Sequence, residues 1–417
     1  MKIHLTEESK ILVIIAVVYL VILGLFLSKY DFNPSATIQL SKGALDVYNG
    51  KLPNNLIYFE HDGFDGQYYF FMALNPSFEK INISPHFLQR IIYPYTARLL
   101  AFGIDGLIPI TMLLINFISI LLSTYFVLKL INKKRLNKSL AYIWAFNIAL
   151  LICITKDLTA PLMILFITIS LYLTQQKKHK VSMIFLMLAI LTRELALPVY
   201  AIYLFYFIYK REYKTAFIYS LAILPFIILQ ILLIPIHNKP PIIISSYSIN
   251  RPIIGFIEYC SSLICNSTGI FNNIYSHSFQ YAVNNQSMGI NQTRLNIIEN
   301  PKEIIYLILS DLNKVYSAIT ILIFAGIIAF ILIKDFLKDK RITLISLILI
   351  SQVGLLFSLN KTLFMDSGID AIGRYAILMF LSSVLYFAER EKEYPLSLKI
   401  INLFLFIFYL GVILLIK

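Results

Sequence analysis

The chain has 417 residues, of which 58% are hydrophobic and only 14% carry a charge. Because soluble globular proteins carry roughly 25% charged residues, this composition excludes an ordinary water-soluble fold. The formal net charge of +13 would fit nucleic acid as a partner if the protein were soluble. Here the basic residues stand in short clusters between apolar runs, as in membrane proteins, so we expect no nucleic-acid partner.

Apolar runs recur along the whole chain and predict one all-α, polytopic membrane domain over 1–417 that crosses a bilayer about eleven times. The first run, 11–27, lacks a small-residue cleavage site and is interpreted as an uncleaved signal anchor. Several runs are shorter than the roughly 20 residues that a perpendicular helix needs. The predicted spans are 11–27, 107–130, 140–154, 158–173, 181–191, 195–209, 216–236, 315–333, 342–359, 375–388 and 400–416.

The lysines and arginines predict the orientation of these spans. If the N-terminus is cytoplasmic and each run crosses once, the basic clusters all fall on the cytoplasmic side, as the positive-inside rule expects. These clusters lie at 133–135, 177–180, 210–211, 338–341 and 390–392. The outer side then receives two long segments, 30–105 and 237–313, and short turns at 156–157, 193–194 and 361–374. Because the cytoplasmic connections are short and lack a Gly-rich phosphate loop, we expect the function on the outer side and no ATP-driven pump.

Acidic, glycine and aromatic residues are concentrated at 59–71, in the first outer segment. Asp62 and Asp65 stand three residues apart, so a helix would carry both carboxylates on one face. A partly desolvated carboxylate at this position can take a proton from an attacking hydroxyl group. An acidic interfacial loop without a catalytic role explains the same residues.

Arg90 precedes an apolar stretch, 91–103, that is too short to span a bilayer and predicts a re-entrant or interfacial helix. Arg90 and Arg98 are eight residues apart and would lie on similar faces of this helix. Both side chains would then reach phosphate groups, either of ordinary lipids or of a lipid-linked substrate.

Charged residues mark three short outer turns. Lys156 and Asp157 form the first, Arg193 and Glu194 form the second, and Arg374 ends the third. Pairing between sequence neighbours would make the first two turns purely structural. The alternative is a basic pocket for a phosphate or diphosphate, in which Arg gives bidentate hydrogen bonds and Lys a point charge.

Five short strings, taken together, resemble the GT-C membrane glycosyltransferases, which use polyprenyl-phosphate sugars as donors. They are DGQYY at 65–69, QRIIYP at 89–94, KDLTAPL at 156–162, TRELAL at 192–197 and GR at 373–374. They look most like those of a poorly characterised bacterial branch, and they are spread over most of the chain. The resemblance implies a helical bundle with a catalytic acid in the first outer loop. The bias toward Ile, Asn and Lys suggests an AT-rich genome and with it a bacterial inner membrane, whose periplasmic or extracellular face would carry the active site.

The reaction implied by the resemblance is an inverting transfer of a sugar to a glycan, lipid or protein acceptor. Asp65 would activate the acceptor hydroxyl, and Asp62 would assist it or share a divalent cation with it. Arg193 and Arg374, with Lys156 behind them, would neutralise the phosphate that gains charge as the bond breaks. The full set of implied substrate-binding residues is Gln67 and Tyr68, which would orient sugar hydroxyls, with Arg90, Lys156, Asp157, Arg193, Glu194 and Arg374.

The second long outer segment, 237–313, is rich in Asn, Ser and Ile and is expected to shape the acceptor site. Its Cys260 and Cys265 can close a small disulfide loop on an oxidising side, or stay reduced. None of the six histidines has a partner at metal-ligand spacing, so the sequence gives no support for zinc.

Two other classes of protein stay open. A polysaccharide polymerase or ligase would also have many spans, a large outer loop and outer arginines, but would not require acids directly after the first span. A secondary transporter should carry charges near the bilayer midplane and an internal repeat of broken helices. In this sequence the charges cluster at one surface and no repeat is evident.

Overall fold

The computed structural model describes residues 6–43, 47–60, 63–77, 81, 83–132, 138–237, 240–242, 301–339, 342–357 and 368–415. Within these ranges the side chains at 132, 236–237, 301–319, 357, 368–374, 412 and 414–415 are not described. The predictions made on Asp62, Cys260 and Cys265 therefore lie outside the described residues.

The described chain is mostly helical. Apolar runs become helices because a bilayer offers no hydrogen-bond partners, so each segment must pair its own backbone groups. A two-stranded parallel sheet stands between the first helices, with β1 at Leu40–Ser41 and β2 at Tyr58–Phe59. The helices are α1 Glu7–Leu27, α2 Gly66–Leu74, α3 Pro85–Leu88, α4 Ile92–Leu100, α5 Ile108–Asn132, α6 Leu140–Ala145, α7 Ile148–Thr155, α8 Ala160–Gln175, α9 His179–Thr192, α10 Leu197–Tyr209, α11 Tyr213–Ser220, α12 Leu224–His237, α13 Pro301–Asp339, α14 Leu344–Phe357, α15 Gly368–Glu389 and α16 Leu396–Leu415. Short 3₁₀ helices lie at Ser28–Tyr30, Pro34–Ile38, Asp105–Leu107, Glu194–Ala196 and Leu221–Ile223.

Each predicted span overlaps one of these helices or two consecutive ones. Among the described residues, four stretches are long and apolar enough to cross a membrane: Glu7–Tyr30, Asp105–Ile131, Tyr213–Pro235 and Thr320–Asp339. Other apolar helices are shorter, with 10–17 residues. The protein is therefore membrane-embedded, whereas the number of eleven spans and their orientation stay predictions.

The predicted span at 140–154 is divided into two helices. Asn147 stands between α6 and α7, and its side-chain oxygen accepts a hydrogen bond from the Leu150 N–H at 3.1 Å. An amide in this position caps the second helix and ends the first. As a result α7 has eight residues and ends at Thr155, directly before the turn that carries Lys156.

The helices enclose one large apolar core, and a smaller one lies under the first outer segment. Trp144, Tyr19 and Phe324 are among the fully buried side chains of the large core. The smaller core contains Tyr69 and Tyr93, which place α2 and α4 against α5. Large apolar side chains remain exposed on α1, α5, α12 and α13, as expected of helix faces that meet lipid.

The short apolar stretch at 91–103 forms α4 and a turn, which agrees with the predicted short helix. Arg90 precedes α4, so the expectation that it shares a helix face with Arg98 is wrong. The Arg98 guanidinium instead donates to the carbonyls of Ala73 and Leu74, at 3.0 and 3.2 Å, and pairs with Asp105 at 3.1 Å. It therefore satisfies carbonyls at the C-terminal end of α2.

Candidate active site

Asp65 lies at the N-terminal end of α2, in a turn that is docked on the segment before it. The Phe64 N–H donates to the Gln39 carbonyl at 3.2 Å, and the Gln67 side-chain oxygen accepts from the Ser41 N–H at 3.1 Å. The Asp65 side chain makes no capping bond to α2 and is 23% exposed. These contacts fix the backbone on both sides of Asp65, and the Asp65 carboxylate remains accessible at the protein surface.

Two glycines allow this turn to lie close to its neighbours. Gly63 has a φ of +73°, and a Cβ on it would come within 2.6 Å of the Gln39 carbonyl oxygen. A Cβ on Gly66 would lie 2.5 Å from the Lys156 carbonyl oxygen and 2.9 Å from that of Ile38. Any side chain at Gly66 would push α2 away from the turn after α7.

Gly66→Ala is expected to destabilise the protein by roughly 1–3 kcal/mol. The new methyl group would overlap the backbone carbonyls of Lys156 and Ile38, which cannot move away by a change of rotamer. The measurement is thermal unfolding of the purified protein in detergent. Gly24→Ala is the matched control, since a Cβ there meets nothing within 4 Å. Equal unfolding temperatures for the two variants would show that Gly66 is not packed against Lys156.

Arg90 is the buried centre of the site. Its Nε donates to Glu194 Oε2 at 2.9 Å, its Nη2 donates to Oε1, and its Nη1 donates to the Tyr69 hydroxyl at 2.6 Å. The same Nη1 lies 3.9 Å from Asp65 Oδ2. Burial disfavours the charge, but Glu194 and Tyr69 outweigh it and raise the pKa of Arg90 above its usual value. Arg90 therefore joins α2, the loop before α4 and the turn after α9.

The acids of the two short turns are bound by distant segments and not by their sequence neighbours. Glu194 pairs with Arg90, as described above. Asp157 Oδ2 accepts from the Thr37 hydroxyl at 2.6 Å, and Oδ1 accepts from Asn116 Nδ2 at 3.4 Å. These hydrogen bonds connect each turn to the first outer segment or to α5, so pairing with the next residue is not what holds them.

Lys156 and Asp157 face different surroundings. The Lys156 ammonium lies 3.2 Å from the centroid of the Phe64 ring, which is a cation–π contact. Asp157 is 0% exposed and has a φ of +46°. Burial raises the pKa of Asp157 to about 7, although hydrogen bonds from Thr37 and Asn116 act in the opposite direction.

Arg193 is 2% exposed, and its Nε and Nη1 have no hydrogen-bond partner among the described residues. Its guanidinium carbon lies 5.9 Å from the centroid of the Tyr375 ring on α15. A buried guanidinium with unused donors is costly. Such a group is suited to an anion that arrives from outside the protein.

The structure brings several of the predicted residues together. Asp65, Arg90 and Glu194 are in direct contact, and Lys156 joins them through Phe64. Arg193 is close enough for its charge to act on Glu194 and on other groups of the cluster. The predicted catalytic role of Asp65 and the predicted substrate contacts stay predictions.

Two predicted residues, Gln67 and Tyr68, have other contacts than this cluster, and for a third, Arg374, only the backbone is described. Gln67 is buried, with its oxygen on the Ser41 N–H. Tyr68 is half-buried, and its ring centroid lies 4.4 Å from that of Phe87 with the two ring planes tilted by 38°. Arg374 belongs to α15, next to Tyr375, but its side chain is not described.

Four residues that sequence reasoning missed contribute to the site: Tyr69, His86, Thr37 and Asn116. Asn116 gave a usable signal, because it is a buried amide in the middle of an apolar span. Burial, and then the charge of Arg90, lower the pKa of His86 to about 4, so its imidazole is neutral at neutral pH. Tyr69 stands in the DGQYY string at 65–69, but no role was predicted for it, and nothing in the sequence marked Thr37.

A metal site is not assembled in the described part of the chain, where no three His, Cys, Asp or Glu side chains meet. Asp62, the predicted partner of Asp65 for a divalent cation, is not described, so the cation stays a prediction. Comparison of the chain with family models, curated proteins and solved structures found no match. The function must therefore be inferred from the site itself and from the resemblance of the short strings.

Proposed function

We propose that the protein is a GT-C-like membrane glycosyltransferase that moves a sugar from a polyprenyl-phosphate donor to an acceptor on the outer face of a bacterial inner membrane. The observation that carries the proposal is Arg193, a buried guanidinium whose Nε and Nη1 find no partner among the described residues, in the same cluster as the accessible carboxylate of Asp65. A base and an anion site are the two parts that such a transfer needs.

Arg193 binds the donor phosphate. The phosphate oxygen gains negative charge as its bond to the anomeric carbon breaks, and a guanidinium already stripped of water stabilises that charge strongly. Arg90 is less suited to this role, because Glu194 and Tyr69 occupy its donors. Of the two site arginines whose side chains are described, Arg90 therefore stabilises the fold and Arg193 binds substrate.

Asp65 is the base. It takes the proton of the acceptor hydroxyl while the hydroxyl oxygen attacks the anomeric carbon, and the polyprenyl phosphate leaves from the opposite face with the bonding electrons. Configuration at the anomeric carbon is inverted. Arg90 Nη1 lies 3.9 Å from Asp65 Oδ2, which is longer than a hydrogen bond, so the two groups do not form a bidentate pair.

Arg193→Gln is expected to lower transfer by roughly 100-fold, as removal of a preorganised donor does in other anion sites. Because the charge that it removes is buried and lacks hydrogen bonds at Nε and Nη1, the unfolding temperature should not fall. The measurement is transfer from a panel of radiolabelled polyprenyl-phosphate sugars, with thermal unfolding of the same preparations. Arg211→Gln, at an exposed position after α10, is the matched control.

Wild-type protein that consumes no lipid-linked sugar across the panel would overturn the proposal and favour the polymerase or transporter class. If Arg193→Gln transfers sugar at the wild-type rate, Arg193 does not bind the donor phosphate.

A further inference from the structure

The turn formed by Lys156 and Asp157, called the 156–157 turn below, holds both sides of Asp65. Its Lys156 ammonium lies 3.2 Å from the Phe64 ring centroid, on the N-terminal side of Asp65. Its Lys156 carbonyl occupies the space that a Cβ of Gly66 would need, on the C-terminal side. A shift of this turn therefore shifts the backbone that carries the Asp65 carboxylate.

Asp157 ties the same turn to the 3₁₀ helix Pro34–Ile38, which leads into the residues that support Asp65. Its Oδ2 accepts from the Thr37 hydroxyl at 2.6 Å. The next residues, Ile38 and Gln39, provide the carbonyl beside Gly66 and the carbonyl that accepts from the Phe64 N–H. Two routes thus lead from Asp157 to Asp65, one through its own turn and one through Thr37.

On its other side Asp157 faces a buried polar chain that fixes it to the bundle. Asn116 Nδ2 lies 3.4 Å from Asp157 Oδ1 and donates to the Tyr93 hydroxyl at 2.9 Å. The Tyr93 hydroxyl in turn donates to the Met112 carbonyl at 3.2 Å. Asp157 therefore connects α4 and α5 with Thr37 of the 3₁₀ helix Pro34–Ile38.

On the basis of the proposed function, we propose that Asp157 is a positioning residue for Asp65, and that binding of a proton to Asp157 changes the placement of Asp65 and with it the rate of transfer. In the ionised state, charge-assisted hydrogen bonds from Thr37 and Asn116 hold the turn firmly. In the protonated state the bond to Thr37 is one between neutral groups, which is weaker.

The hydrogen-bond network has partners for both charge states. When Asp157 is ionised, the Thr37 hydroxyl donates to its Oδ2. When Asp157 is protonated, its own O–H donates to Thr37 Oγ1, and the Thr37 proton turns to the Pro34 carbonyl at 2.8 Å. Burial raises the pKa of Asp157 to about 7, so both states are populated near neutral pH.

Other titratable groups near Asp157 do not change charge in this range. Tyr93 on α4 reaches it through Asn116, and Cys153 on α7 acts electrostatically on Tyr93. Both residue types are uncharged near neutral pH at their ordinary pKa. Lys156, in the same turn, places its ammonium 3.2 Å from the centroid of the Phe64 ring. A titration of this cluster near neutral pH therefore belongs to Asp157.

The first test measures placement without any transfer assay. Full-length protein in lipid nanodiscs is labelled with a water-soluble carbodiimide between about pH 6 and pH 8, and the modified peptides are quantified by mass spectrometry. The exposed Asp31 of the same outer segment is the internal reference. We expect the ratio of Asp65 to Asp31 labelling to change severalfold through neutral pH in wild type and to be constant in Asp157→Asn, which mimics the protonated state.

The second test measures transfer by the same proteins. Asp157→Asn should lower kcat by roughly tenfold and leave the donor KM unchanged. The change of kcat with pH near neutral pH, which is expected for wild type, should be absent in this variant. Thr37→Val should lower kcat in the same way, and Thr37→Ser should restore it. A destabilised but otherwise normal site would not produce this pattern of pH profile and rescue.

A labelling ratio in wild type that does not respond to pH, or that responds equally in Asp157→Asn, would overturn the inference even if transfer is normal. A labelling response in wild type alone, in a protein that transfers no sugar from any donor, would support the placement by Asp157 and overturn the proposed function.

Discussion

Replacement of Asp65 by Asn is expected to lower sugar transfer by roughly 10²–10⁴-fold, the range that a positioned general base contributes. The amide has the shape of the carboxylate but cannot take the proton of the acceptor hydroxyl. The fold should be unaffected, because Arg90 keeps its bonds to Glu194 and Tyr69, and because the backbone contacts at Phe64 and Gly66 do not involve the carboxylate. Transfer from radiolabelled polyprenyl-phosphate sugars, together with thermal unfolding, measures both effects.

Asp31→Asn is the matched control for Asp65→Asn. Asp31 is an exposed carboxylate of the same outer segment and has a φ of +52°, a conformation that Asn adopts readily. The control should transfer sugar as wild type does. If Asp65→Asn retains more than a tenth of the wild-type rate while Asp31→Asn is unchanged, Asp65 is not the base, and Asp62 becomes the next acid to replace.

The positions of the helices could be predicted from the sequence because an apolar run in a bilayer has to form a helix. A backbone that leaves its hydrogen bonds unpaired in lipid costs too much, so the predicted span 315–333 lies within α13, and the predicted span 400–416 overlaps α16 up to its last residue, Leu415. The division of the span 140–154 into α6 and α7 at Asn147 was not predicted, since one polar residue barely alters the mean hydropathy of this span. The Asn147 side chain donates to the Trp144 carbonyl at the end of α6 and accepts from the Leu150 N–H at the start of α7, and hydropathy does not register such local hydrogen bonds.

The site was predictable in its residue types but not in its contacts. Charged residues at helix ends were predicted as site residues because a charge near lipid has a high free-energy cost. Four of them meet in one cluster: Asp65, Arg90, Lys156 and Glu194. Their partners depend on how distant turns pack. Arg90 and Glu194 are separated by 104 positions in the chain, so the sequence did not show that they pair with each other.

Glu194→Gln is expected to destabilise the folded protein by about 3–5 kcal/mol, the usual cost of breaking a buried ion pair. Both oxygens of Glu194 accept from Arg90, which is almost fully buried. A neutral amide can accept at only one atom, its oxygen, and its N–H groups point toward the cation. The Arg90 guanidinium then has only the Asp65 carboxylate, with Oδ2 at 3.9 Å from Nη1, to compensate its charge among the described residues. Unfolding in detergent, by heat or by denaturant, gives the free-energy change.

The double variant Arg90→Met, Glu194→Gln separates the ion pair from the packing around it. Removing the cation as well removes the uncompensated charge, so the double variant should be more stable than Glu194→Gln alone, which is the sign that a coupled pair gives in a double-mutant cycle. Simple addition of the two single effects would mean that Arg90 and Glu194 do not depend on each other. Recovery of stability without recovery of transfer would instead show that the pair, although it is not required for folding, holds Tyr69 and the start of α2 in the arrangement from which Asp65 acts.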